Sequence, residues 1–327
     1  MKRIFSLFLC LALCAGMLVL FGGCSSRVLN EYDAILTEYQ NLLLKKKNGE
    51  EIPALDTEKY GNEADLAIMQ VLHRLAERAE KTEMYGYAEP DLNADGQKEL
   101  LLMQENYRVL ALIGYRDGAP VLLVDCSDIK SDAVLDEKGN IYVETYGDGG
   151  LDVEYCTYRW GEDGTLQEGF RAFLDGDDRG PSTYYLYENG ERKECTWEEM
   201  NAQYKAAYLQ RPRGYMGNEY TLQYARLVYV PLFPEDVNAQ FRIGPWERSG
   251  IIGGNGTAMV TESVTSALVK FTLCSETLTA TAKEGGGYTF EGEAFSGELY
   301  VFARTICLFV TQSTLEELPA RAYVYSK

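Results

Sequence analysis

Asp91, Asn93, Asp95, Gln97 and Glu99 stand on alternate residues of one short stretch, with Gly96 between the third and fourth of them. All five residue types carry side-chain oxygens, and calcium takes about six to eight hard oxygens. Alternate residues of a tight loop turn toward one centre. Asp91, Asn93 and Asp95 would therefore offer side-chain oxygens, and Gln97 its backbone carbonyl. Glu99 would close the set directly or through a water, and Gly96 permits the sharp turn. This spacing points to a structural calcium ion rather than to catalysis. The same residues also spell an Asx-rich hairpin turn that needs no ion. A second acidic patch, Asp175-Gly176-Asp177-Asp178, lacks the spacing and reads as a solvated loop.

Aromatic residues offer another kind of chemistry. Tyr155, Tyr158 and Trp160 fall in one run and Tyr184, Tyr185 and Tyr187 in another. On one solvent face of a rigid sheet such rings would stack on a glycan or grip a peptide. Alternating into a core, they would simply be good strand formers.

Catalytic constellations are thin. His73 is the only histidine, which excludes any site needing two, including the HExxH zinc pattern. It stands beside the apolar face of a predicted helix and reads as partly exposed. No Gly-x-Ser-x-Gly elbow is present, and the Gly250–Gly256 run lacks the lysine of a phosphate-binding loop. A glycosidase-type carboxylate pair stays open as an alternative, because sequence separation says nothing about distance. The net charge of −19 argues against nucleic acid as a partner.

Residues 91–99 follow the pattern D-x-N-x-D-G-x-x-E, which resembles the calcium loops of dockerins, integrin-type repeats and EF-hands. Leu102 stands where an EF-hand would need its bidentate glutamate, so the likeness favours a loop running straight into a strand, as in integrin-type repeats. At the N-terminus, Lys2 and Arg3 precede an apolar run from Ile4 to Phe21, then Gly22-Gly23-Cys24-Ser25-Ser26. This resembles the signal peptide and lipobox of a bacterial lipoprotein, with Phe21 in place of the usual leucine. The resemblance implies cleavage after residue 23, a lipid on Cys24, a tether over 24–27, and a fold at the extracytoplasmic face of the cell membrane. An uncleaved anchor is the alternative, and either places the folded part outside the cytoplasm. Gly244-Pro245-Trp246 resembles the Gly-x-Trp that opens lipocalin-like barrels. The five cysteines beyond Cys24 have no CxxC spacing. They read as buried free thiols, with Cys126–Cys156 and Cys274–Cys307 the possible pairs.

Positioning these groups requires elements of two textures. Apolar residues at helical spacing predict amphipathic helices over Val28–Lys47 and Glu63–Ala79. From Tyr85 to Glu194 short β-prone runs alternate with Asp95-Gly96, Asp117-Gly118, Gly139-Asn140, Asp163-Gly164 and Asn189-Gly190, a meander of hairpins. Thr196-Trp197-Glu198-Glu199 is a capping box that opens a third helix, which runs through Tyr208. Beyond residue 222 strands follow one another closely, which favours a small barrel or sandwich.

The sequence therefore predicts an α+β protein. A helix-flanked antiparallel β domain covers 28–214, with the calcium-type loop at 91–99, and an all-β barrel-like domain covers 220–327. The expected role is non-catalytic binding of a protein or glycan, or envelope structure, on a lipid anchor with a structural calcium. The alternatives are a glycan-directed extracellular hydrolase and a transporter-associated solute-binding lipoprotein. The missing alternation of helix and strand weighs against the transporter reading.

Overall fold

The computed structural model describes residues 31–60, 62–105, 108–128, 130–136, 138–147, 151–176, 181–207, 229–233, 242–248, 259–284, 286–318, 320 and 322–326. Cys24 and the expected leader over 1–23 lie outside the described residues. So do Asp177, Asp178, Tyr208, the Gly250–Gly256 run and the expected domain boundary at 214–220.

Helix α1 (Asp33–Lys47) buries Leu36, Tyr39, Leu42 and Leu43, a stripe at three- and four-residue spacing. Lys45, Lys46 and Lys47 stand at its negative end, and Gly49 turns the chain away at φ +71°. Helix α2 (Glu63–Arg78) opens on Asn62, whose side chain accepts from the Asp65 amide. Its buried face includes His73, at 8% exposure. The partly exposed position expected for His73 is therefore corrected: the apolar arc of α2 is wider than Leu66, Met69, Leu72 and Leu75 imply.

Both helices cover one face of a sheet. Strands β1 (Tyr85–Ala88), β2 (Leu100–Gln104), β3 (Val109–Arg116) and β4 (Ala119–Asp125) pair in sequence order. Leu100, Leu102, Leu110 and Ile113 face the helices, and Leu101, Met103, Leu112 and Val124 face the other way into a second core. Burial on both faces explains why β2 and the start of β3 read as unbroken apolar runs rather than as alternation.

A second antiparallel sheet follows: β5 (Ser131–Leu135), β6 (Ile141–Tyr146), β7 (Val153–Trp160), β8 (Leu166–Asp175), β9 (Thr183–Glu188) and β10 (Glu191–Cys195). The turn dipeptides sit between strands as expected. Asp117-Gly118 and Asn189-Gly190 have both residues in the left-handed region, the geometry of a tight hairpin turn. Helix α3 (Trp197–Ala207) starts with the reciprocal bonds of the capping box between Thr196 and Glu199. Met200 and Tyr204 of α3 pack on Tyr142, Phe170 and Leu186 of the second sheet.

The two-residue strand β11 (Val230–Pro231) returns to pair with β1 of the first sheet. Tyr229, Leu232 and Phe233 beside it join the first two cores, although the sequence assigns residues beyond 220 to the C-terminal unit. That unit is a closed eight-stranded antiparallel barrel, with its strands in sequence order: β12 (Gly244–Arg248), β13 (Met259–Val264), β14 (Leu268–Leu273), β15 (Glu276–Ala282), β16 (Tyr288–Glu291), β17 (Phe295–Val301), β18 (Thr305–Ser313) and β19 (Ala322–Ser326). The α+β class and the barrel are thus as expected, and the sandwich alternative falls away.

Eight strands enclose a space that side chains can fill. Trp246, Met259, Phe271, Phe290, Leu299, Tyr323 and Tyr325 occupy it, and the Trp246 indole donates to Thr261 Oγ1 at 2.9 Å. The outer wall of the barrel is also used: Cys307, Val324, Phe302 and Phe309 pack into the core between the two sheets. No disulfide joins any of the five described cysteines, so neither of the two possible pairs is formed. Among the described residues no helix is long and apolar enough to cross a membrane.

Candidate functional site

The loop at 91–99 joins β1 to β2 and is built from its own side chains. Asp91 Oδ2 accepts from the Gly96 amide at 3.0 Å, Asn93 Oδ1 from Asp95 N at 3.1 Å, and Asp95 Oδ1 from Gln97 N at 2.7 Å. Ala94 at φ +58° and Gly96 at φ +88° supply the sharp reversals. The Glu99 amide closes the loop onto Pro90 O at 2.8 Å. Its side chain folds back so that Oε2 accepts from Leu92 N at 2.7 Å.

Glu99 is 4% exposed, and among the described residues no lysine or arginine forms an ion pair with it. Burial pushes its carboxyl up to about 7, and the charges of Asp95 and Asp91 push in the same direction. The loop therefore concentrates negative charge around a buried carboxylate that has no ion-pair partner among the described residues. As placed, the acidic groups are spent on loop amides. Among the described residues no three Asp, Glu, His or Cys side chains converge closely enough to hold a metal. The donor chemistry still fits calcium: hard oxygens only, one of them buried and electrostatically unfavourable without a cation. Asp91, Asn93, Asp95 and Glu99 would hold the ion through side chains and Gln97 through its carbonyl.

The loop is also a junction. Asn93 Nδ2 donates to Gly164 O of the β7–β8 turn at 3.4 Å, and Gln97 Nε2 to Glu31 at 3.4 Å. Tyr32, just ahead of α1, donates its hydroxyl to Lys98 O at 2.8 Å. Leu92 is buried in the core between the sheets. One loop thus touches the start of the helical layer, the first sheet and a turn of the second.

The six aromatic candidates do not share a face. Tyr158 and Trp160 pack into the core between the sheets, where the indole donates to Gly139 O at 3.0 Å. Tyr155 and Tyr184 pack with the α3 side of the second sheet, and Tyr155 meets Tyr204 edge-on at 4.9 Å. Tyr185 and Tyr187 lie on the opposite face from Tyr184, and arginines cover them. Arg192 stacks 3.7 Å from the Tyr185 ring and 4.2 Å from Phe173, and Arg171 lies 4.5 Å from Tyr187. The single six-ring platform is therefore corrected: strand alternation sends four rings into cores, and guanidinium groups cap the remaining two.

A further carboxylate was not singled out by the sequence. Glu105, at the end of β2, is 1% exposed and accepts from Ala303 N, Arg304 N and Thr305 Oγ1 at 3.1, 2.8 and 2.9 Å. These donors form the β17–β18 turn of the barrel, so Glu105 clasps barrel to sheet. Burial pushes its carboxyl up to about 7 against the pull of those donors. Nothing local marks it, because its partners lie about two hundred residues away.

The chain matches no known family model, no curated protein and no solved structure.

Proposed function

We propose that this is a lipid-anchored protein of the extracytoplasmic membrane face with a non-catalytic binding or structural role, in which a calcium ion in the 91–99 loop stabilises the junction of the two sheets. The observation that supports the calcium most strongly is Glu99, a buried carboxylate with two acidic neighbours and no cationic partner among the described residues. A divalent cation would remove that electrostatic cost, and the loop's contacts would carry the gain to both sheets. The lipid anchor rests on the Gly22-Gly23-Cys24 sequence.

The hydrolase alternative is less well supported. The two carboxylates pushed toward neutrality, Glu99 and Glu105, would be its natural general acids. Both are instead engaged with backbone amides in buried junctions.

The test is calorimetric titration of the full chain, held in non-ionic detergent, with calcium. One ion per chain is expected. Asp95→Asn keeps an oxygen for the Gln97 amide but removes the charge, so it should weaken binding at least tenfold while the calcium-free protein still folds. Absence of calcium heat, or undiminished binding by Asp95→Asn, would overturn the reading.

A further inference from the structure

A cavity of about 370 Å³ opens between the N-terminal halves of α1 and α2, the short 3₁₀ turn Thr57–Lys59 that precedes α2, and the start of β4. Its apolar lining is the edge of the first core: Ile68 and Met69 belong to that core, and Ile35 and Tyr60 pack against it. Three carboxylates, Glu31, Glu38 and Asp65, line the same cavity against one ammonium, that of Lys59. None of the five proposed calcium ligands lines it.

Two of these carboxylates are partly committed. Asp65 Oδ2 accepts from Asn62 Nδ2 at 3.0 Å in the cap of α2, and Glu31 accepts from Gln97 Nε2 at a long 3.4 Å. Asp65 also stands in the first turn of its helix, as Asp33 and Glu63 do, and there it offsets the positive helix end. Glu38 has no such task. It lies in the second turn of α1, partly buried, and makes no hydrogen bond or ion pair among the described residues. The one ammonium in the lining leaves it so: Lys59 Nζ lies over the Tyr60 ring, 5.5 Å from its centroid, and pairs with none of the three carboxylates. An aromatic face of the cavity thus already meets an ammonium, while a carboxylate beside it has no cation.

A small organic cation satisfies both parts of this lining. Its charge would serve Glu38, and a compact apolar body would cover Ile35, Ile68 and Met69. A neutral apolar molecule leaves Glu38 without a partner, and a bare cation gains nothing from the apolar side chains. The net charge of −19 also favours the approach of a cation over that of an anion. The volume lies near the lower end of ligand pockets, which limits the body to a ring or a short chain.

We propose that this cavity binds a small primary amine as its ammonium, with the charge at Glu38 and the apolar body against Ile35, Ile68 and Met69, and that Lys59 is an internal competitor for the same place. The full chain in non-ionic detergent would be titrated calorimetrically with benzylamine at neutral pH and low salt, against a detergent blank. Benzyl alcohol, ammonium ion and benzoate serve as parallel probes. Saturable binding of one benzylamine is expected, with at least tenfold weaker binding of the other three. Glutamine and lysine are good helix formers, so Glu38→Gln and Glu38→Lys should both fold. The first should weaken benzylamine about threefold and the second at least tenfold. Lys59 is exposed, and Lys59→Gln should tighten binding about twofold by removing the competing charge. The proposal is overturned by benzylamine heat that does not saturate, by benzyl alcohol or ammonium binding as tightly, by a folded Glu38→Gln or Glu38→Lys that binds undiminished, or by weaker binding in Lys59→Gln.

Discussion

At the residue scale, two buried glutamates dominate the electrostatics. Glu99 and Glu105 both have carboxyls pushed from the ordinary value near 4.5 up to about 7, with burial as the largest cause. Their folded-state values lie above their unfolded ones, so the native chain holds protons that the unfolded chain has lost between those two limits. Stability from this source is complete below about pH 4.5 and is lost as pH rises through about 7. Without calcium, melting temperature should therefore rise as pH is lowered from about 8 to about 5.5. The gain would be on the order of 2–3 kcal/mol per carboxylate if the other groups stay constant. Glu105→Gln should flatten part of that slope and leave the rest to Glu99. A slope unaltered by Glu105→Gln would show that Glu105 is not the proton-binding group. Calcium should flatten the remainder, since a bound cation favours ionised Glu99.

At the element scale, legibility in the sequence follows how local the cause is. The capping box at Thr196–Glu199 and the Asp-Gly and Asn-Gly turns depend on adjacent residues, and they mark real boundaries. The β14–β15 hairpin departs from that rule. Cys274 and Ser275, at φ +49° and +66°, take the left-handed turn without a glycine or asparagine. Left-handed backbone costs an ordinary residue about 1–2 kcal/mol. Ser275→Gly should thus raise the melting temperature by roughly 2–4 °C, and an unchanged or lowered value would contradict the turn geometry.

Face assignment was the least legible element property. Tyr155 and Tyr158 lie close in sequence yet enter different cores, because residues three apart on a strand point to opposite faces and both faces of β7 are covered by distant elements. Strand β11 was invisible for a related reason: two residues carry no periodicity, and its place is set by Gly86 and Tyr87 of β1. Gly297 shows the same dependence on distant partners. Any Cβ there would run into the Phe309 carbonyl, and that closeness is a property of the barrel, not of the local sequence.

At the scale of the whole molecule, three bodies share one core. The two sheets and the outer wall of the barrel meet around Leu101, Leu112, Ile141, Cys156 and Cys307. Two polar fastenings flank it: Glu105 ties the barrel turn to the first sheet, and the 91–99 loop ties that sheet to the second. The motif behind one fastening could be read from nine consecutive residues. The other could not, since its halves are distant in sequence.

The most direct measurement is the melting temperature of the full chain in non-ionic detergent, near pH 8, with millimolar calcium and then with excess chelator. At that pH Glu99 is ionised, so the cation has the most to offset. A ligand bound only by the folded state adds stability by mass action. The account predicts a single cooperative transition that moves up by several degrees with calcium and returns fully with chelator. Identical transitions in the two conditions would contradict it and leave the 91–99 loop a hydrogen-bonded turn.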